Sequence, residues 1–149
     1  MTNVLFVCTG NTCRSPMAAA ILKSKGLPGV EVKSAGVFAA DGSDASAHTK
    51  KVLEEQGIQL EHKSSGMTES LADWATYILT MTSGHKGTVL AMFPGAAGKT
   101  YTLKEFAGQA GAGDIIDPYG GPVEIYRCTF EDMTETIDQI LNRLKTEKD

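Results

Sequence analysis

The passage from Val4 to Lys23 restricts the fold of this chain more than any other. Val4-Leu5-Phe6-Val7 is a short apolar run that reads as a buried strand. Ser15-Pro16 reads as a helix start, with Ser15 at the N-cap, Pro16 at the first helical position and good helix formers from Met17 to Lys23. Between them stands the loop Cys8-Thr9-Gly10-Asn11-Thr12-Cys13-Arg14-Ser15. A strand feeding a loop that opens a helix aims several unpaired backbone N–H groups, and the positive end of the helix dipole, at one point. Such a point suits a phosphate dianion.

The rest of the chain supplies what that unit must pack against. The pattern predicts strands at Val30 to Ser34, Tyr77 to Thr80 and Lys99 to Thr102. It predicts helices at Pro16 to Lys25, about Ala47 to Gln56, about Glu69 to Ala75 and about Gly84 to Phe93, then a short helix, a loop and a final helix. Alternating strands and helices predict an α/β fold with a four-stranded parallel sheet flanked by helices as a three-layer sandwich. In the final helix Tyr126, Phe130, Met133, Ile137, Ile140, Leu141 and Leu144 recur at spacings of three or four, a stripe that should pack on the sheet. A length of 149 residues and 42% hydrophobic content fit one domain, 1–149, with its own core.

Cys8 sits where the field of the loop is strongest, and donors that bind phosphate also stabilise a thiolate, the reactive form of the side chain. Arg14 adds a planar fork of donors that matches two phosphoryl oxygens and follows them into a trigonal-bipyramidal geometry. Gly10 and Asn11 tolerate the left-handed backbone angles that let loop N–H groups converge on one anion. The Ser15 hydroxyl is a candidate donor to the Cys8 sulfur.

The Cys8 to Pro16 segment resembles the signature of the low-molecular-weight protein-tyrosine-phosphatase family, and the resemblance runs through nearly the whole chain. Ser34-Ala35-Gly36 is similar to the family's strand-end motif and Asp117-Pro118-Tyr119 to its general-acid loop. The likeness implies a flavodoxin-like sheet, Cys8 as nucleophile, Arg14 as phosphate clamp and Asp117 as the acid that protonates the leaving group. Around them Thr9, Gly10, Asn11, Thr12, Cys13, Ser15 and Tyr119 would form the substrate site. The local sequence agrees, since Pro118 restricts Asp117 to extended angles and Gly120-Gly121 lets the loop turn back. The two-step route through a phosphocysteine needs no metal and no cofactor.

At Thr12 this chain carries a hydroxyl where tyrosine-directed relatives commonly carry an aliphatic residue. In this it resembles the bacterial protein-arginine phosphatase branch, with which it also shares the Asp-Pro-aromatic-Gly-Gly loop and a segment like Tyr101 to Glu105. The resemblance implies arginine-phosphorylated protein substrates and a counterpart protein-arginine kinase in the same cell. A polar floor suits a guanidinium, which must keep hydrogen bonds on leaving water. A threonine required only by the loop's backbone geometry is the competing reading, and phosphotyrosine hydrolysis is the competing activity. An arsenate reductase on this scaffold would need resolving cysteines in the middle of the chain, and none lies between Cys13 and Cys128. A phosphoprotein-binding or redox module would be expected to lack the nucleophile, the arginine or the acid.

The remaining residues are read more plainly. Family likeness implies that Cys8 and Cys13 form a protective disulfide on oxidation, and the five-residue spacing is compatible with it. Cys128, on the final helix, is expected in the core. An odd count of three cysteines points to a reducing, cytoplasmic setting, and Met1-Thr2-Asn3 leads straight into a strand with no secretory signal. A net charge of −4 gives no reason to propose nucleic-acid or membrane binding. Phe38 is either an aromatic rim or core, Trp74 is expected in the core, and Asp114 either orients the acid loop or is solvated. His48, His62 and His85 lack metal-ligand spacing and are expected at ordinary surface or helix positions. The Gly108-Gln109-Ala110-Gly111-Ala112-Gly113 run is expected to be a mobile surface loop, since it has no strand or spaced acidic partner for nucleotide binding.

Overall fold

The computed structural model describes residues 2–109 and 113–148. Four strands, β1 (Thr2–Cys8), β2 (Val30–Gly36), β3 (Tyr77–Thr80) and β4 (Thr100–Thr102), form one sheet in the order β2-β1-β3-β4. Every pairing is parallel, with Cys8 opposite Gly36 and Val7 opposite both Ala35 and Thr80. The helices are α1 (Arg14–Ser24), α2 (Ala47–Glu55), α3 (Glu69–Trp74), α4 (Ser83–Met92), α5 (Leu103–Phe106) and α6 (Val123–Lys148), with a 3-10 turn at Pro94–Lys99 before β4.

The central strand β1 is apolar at consecutive positions because both of its faces are covered. Val4 and Phe6 point into a cluster with Met17 and Ile21 of α1 and Met133 and Ile137 of α6. Leu5 and Val7 point into the opposite cluster with Ala72 of α3, Ile78 of β3 and Val89 of α4. The expected three layers are therefore present. Helix α1 is buried from Arg14 through Leu22, so it shows no polar face over that stretch. Side-chain caps from Ser46, Thr68, Thr82 and Thr102 start α2 to α5, the last as a full capping box with Glu105.

Several expectations need correction. Helix α1 begins at Arg14 with Cys13 at the N-cap and no side-chain cap, so Ser15 lies inside the first turn instead of capping it. Pro16 is still tolerated there, because first-turn N–H groups have no partner within the helix. Cys128 is exposed, not core. At 3.6 residues per turn it stands about 200° round α6 from Tyr126, on the solvent side of the stripe. In that stripe Tyr126, Phe130, Met133, Ile137, Ile140 and Leu144 are buried, while Leu141 is partly buried at its edge. Trp74 is half-buried at the rim of the second cluster, where Lys33 Nζ lies 4.5 Å from its ring centroid. The Gly108–Gly113 expectation falls largely on residues 110–112, which lie outside the described residues.

The order β2-β1-β3-β4 puts a topological switch at β1, where one crossover leads to β2 and the next returns to β3 on the other side. Ligands of open parallel sheets bind beyond the carboxyl ends of the strands at such a switch, and the Cys8 loop leaves β1 there. Among the described residues no helix is long and apolar enough to cross a membrane.

Candidate active site

The loop after β1 is shaped by one left-handed residue and one tight approach. Asn11 has φ +56° and is fully buried, so of the two residues suited to left-handed angles it is Asn11, not Gly10, that adopts one. Its side chain holds the loop from inside: Nδ2 donates to Ser15 Oγ at 2.7 Å and to Ser34 Oγ at 2.9 Å, and Oδ1 accepts from Ser65 N at 2.9 Å. Gly36 is required for a different reason. A Cβ there would lie 2.4 Å from the Thr9 carbonyl oxygen and 2.9 Å from Asn11 N, so the end of β2 touches the loop backbone directly.

Cys8 is 3% exposed, and its Sγ lies 2.9 Å from Ser15 Oγ. Because Asn11 Nδ2 already donates to that oxygen, the Ser15 proton is free to go to the sulfur, its nearer acceptor, in preference to the Ala35 carbonyl at 3.4 Å. Drawing Ser15 into the first turn of α1 provides this contact, which a capping role would not.

Arg14 is also buried, and its Nη1 donates to the Ile115 carbonyl at 2.9 Å while Nη2 stands 3.6 Å from Asp117 Oδ2. Asp117 itself is open to solvent, with 57% of its side chain exposed, so this pair adds little to stability. Its other oxygen, Oδ1, accepts from Tyr119 N at 3.0 Å, which closes an Asx turn. Gly121 N donates to Pro118 O at 2.9 Å and Gly120 has φ +80°, a tight turn after Pro118 that brings the loop back to α6.

These segments enclose a cavity of about 250 Å³ lined by Cys8, Thr9, Gly10, Thr12, Cys13, Arg14, Asp117 and Tyr119. The side chains of Asn11 and Ser15 lie behind its wall, holding the loop that forms it. Tyr119 is 78% exposed at the mouth, and Phe38 is 77% exposed, so Phe38 is not a core residue. Cys13 and Cys8 are both free thiols, and the Cys13 sulfur is 3.6 Å from Tyr126 Oη. Burial, with the Cys13 contact adding to it, pushes the Tyr126 phenol up to about 12.

The histidines are where the sequence reading falls shortest. His62 Nε2 lies 2.6 Å from the Asn11 carbonyl oxygen, and burial lowers its pKa below the usual value. His85 Nε2 lies 2.8 Å from Thr9 Oγ1, and burial, reinforced by Arg14, pushes its imidazole down to about 4. His48 packs edge-on against Tyr126 with ring centroids 5.0 Å apart. Two of the three histidines therefore touch the loop. Their spacing from Cys8 carries no signal, because the contacts come from segments brought in by the sheet. Asp114 accepts from Ser83 N at 2.8 Å, tying the segment before the acid loop to the start of α4.

A buried cysteine and arginine on one phosphate-sized loop, faced by an aspartate from a distant turn, define a class of cysteine-dependent phosphate-ester and phosphoramide chemistry. The chain belongs to the low molecular weight phosphotyrosine protein phosphatase family, whose model matches residues 3–149. It is 57% identical to a protein-arginine-phosphatase of Geobacillus stearothermophilus, over 97% of each chain. To the protein-arginine-phosphatase of Bacillus subtilis it is 42% identical, over 98% of this chain and 99% of that one. To the low molecular weight protein-tyrosine-phosphatase PtpB of Staphylococcus haemolyticus it is 38% identical, over 92% and 96%. The solved structure of the YwlE arginine phosphatase from Geobacillus stearothermophilus superimposes with a TM-score of 0.96 at 56% identity, covering 99% of this chain and 96% of that one.

Proposed function

We propose that this chain is a protein-arginine phosphatase that hydrolyses phosphoarginine in proteins through a phosphocysteine on Cys8. The Cys8 thiolate attacks phosphorus while Asp117, as the acid, delivers its proton to the scissile nitrogen; the P–N bond breaks and arginine leaves as a guanidinium cation. Arg14 and the loop N–H groups hold the phosphoryl oxygens throughout. Water then attacks the phosphocysteine, the Asp117 carboxylate takes its proton, the S–P bond breaks and the thiolate returns with the Ser15 hydroxyl on its sulfur. Thr9, Gly10, Asn11, Thr12, Cys13, Ser15 and Tyr119 shape and line the site for this chemistry.

The observation that carries the choice of substrate is Thr12, a hydroxyl-bearing residue on the same cavity wall as Cys8, Arg14 and Asp117. Replacing an aliphatic wall with a hydroxyl lowers the cost of burying a planar, hydrogen-bonding guanidinium beside the sulfur. The two arginine-directed relatives, more alike to this chain than the PtpB relative, support the same choice. A counterpart kinase that phosphorylates arginine must act on the same proteins, and the odd count of three cysteines suits a reducing, cytoplasmic setting. Acid quenching during turnover of a phosphoarginine peptide, followed by mass spectrometry, should find the phosphoryl group on Cys8. Its absence there, with phosphate still released, would contradict the mechanism.

A further inference from the structure

Thr9 follows the Cys8 sulfur directly and lines the cavity, and its backbone is fixed by the Phe38 N–H, which donates to the Thr9 carbonyl at 3.0 Å. Its hydroxyl has a separate partner in His85 Nε2 at 2.8 Å. His85 is itself held in the first turn of α4, where its N–H donates to Thr82 Oγ1 at 3.0 Å. The residue is 8% exposed, and among the described residues its Nδ1 is buried with no hydrogen-bond partner.

That unpartnered nitrogen fixes which way the proton lies. Burial and the nearby Arg14 charge keep the imidazole neutral, against the weaker pull of Asp117 and Asp114. A neutral ring carries one N–H. On Nδ1 that proton would be buried without an acceptor, and the Thr9 hydroxyl would spend its own proton on Nε2. On Nε2 it is donated to Thr9 Oγ1, and Nδ1 is left with only an unfilled lone pair. A buried donor without a partner is the rarer and costlier of the two. The tautomer assigned from this hydrogen-bond pattern leaves the Thr9 hydroxyl proton unspent, on a residue that lines the cavity.

We propose that His85 is a positioning residue: its Nε2–H, donated to Thr9 Oγ1, turns the Thr9 hydroxyl into a hydrogen-bond donor for a phosphoryl oxygen held above Cys8. The inference rests on the phosphate-binding part of the proposed function and not on the identity of the group that leaves. It makes α4 a support for the phosphate site, although no residue of α4 lines the cavity.

Calorimetric titration of the reduced protein with inorganic phosphate tests this without turnover. Thr9→Val keeps the backbone contact and removes the hydroxyl, and should weaken phosphate binding about tenfold, as expected for one hydrogen bond to a charged group. His85→Ala should weaken it about three- to tenfold, and the Thr9→Val/His85→Ala pair should be no weaker than Thr9→Val alone, because the two act through one hydroxyl. His85→Gln, which restores a donor to Thr9, should recover binding to within about threefold of the parent. Losses that multiply in the double variant would overturn the proposal, as would a Thr9→Val protein that binds phosphate like the parent or a parent that binds none. Release of phosphate from a phosphoarginine peptide, scored separately, reports on the substrate assignment. Its failure alongside normal phosphate titration would sink the arginine reading and leave the His85 role standing.

Discussion

Arg14 donates from Nη1 to the carbonyl oxygen of Ile115 at 2.9 Å, which joins the phosphate loop to the chain two residues before Asp117. The second link runs from Asp114 to Ser83 N at the start of α4, whose His85 reaches back to Thr9. The nucleophile's loop and the acid's loop are thus joined twice, once through a buried guanidinium and once through the first turn of a helix. Asp117 keeps its place above the cavity although its side chain is mostly solvated.

Asp117→Asn preserves an oxygen that can accept from Tyr119 N, so the turn should persist while the proton donor is lost. Steady-state kinetics should show kcat lowered by roughly 10²- to 10⁴-fold, with inorganic phosphate binding within about threefold of the parent. A variant that retains full kcat would remove Asp117 from the mechanism.

Thr12→Ile exchanges the hydroxyl for an aliphatic wall. The ratio of kcat/KM on a phosphoarginine peptide to that on its phosphotyrosine counterpart should drop by about tenfold or more, the scale of one buried polar partner lost. An unchanged ratio would make Thr12 a residue of backbone geometry.

Gly36→Ala places a methyl group 2.4 Å from the Thr9 carbonyl oxygen, and Asn11 N and Ala39 Cβ, each 2.9 Å away, leave it no room. Urea denaturation should register a loss of about 1–3 kcal/mol, and activity should fall as the loop is displaced. A neutral substitution would mean that β2 and the loop can separate freely.

His85 titrates well below its ordinary 6.5, at about 4, so between these values the unfolded chain binds a proton that the folded protein refuses. The neutral ring's contribution to stability is fully present above about pH 6.5 and is lost as pH falls toward 4. His62 is shifted in the same direction. Denaturation midpoints measured across this range should fall with acidification, and His85→Gln should flatten the slope. An equal slope in the variant would assign the acid sensitivity to other groups.

What the sequence made legible follows from local chemistry. The β1 apolar run, the alternation of strands and helices and the α6 stripe depend on periodicity, and the loop that binds phosphate announces itself by residues adjacent in the chain. Errors arose where tertiary contact overrode a local preference. Ser15 looked like a cap but is taken up by the Cys8 sulfur, and Pro16 tolerates the earlier start of α1 that results. Cys128 is a matter of helical spacing instead: it shares α6 with the apolar stripe, but two residues from both Tyr126 and Phe130 put it on the opposite, exposed side. His62 and His85 reach the loop from segments more than fifty and seventy residues away, contacts no spacing rule encodes.

The kcat/KM of the purified, reduced protein on matched phosphoarginine and phosphotyrosine peptides, with Cys8→Ser alongside, separates the substrate from the mechanism in one experiment. A strong excess on phosphoarginine and no release by the Cys8→Ser protein are expected. Preference for phosphotyrosine would contradict the substrate, and release that survives Cys8→Ser would contradict the mechanism itself.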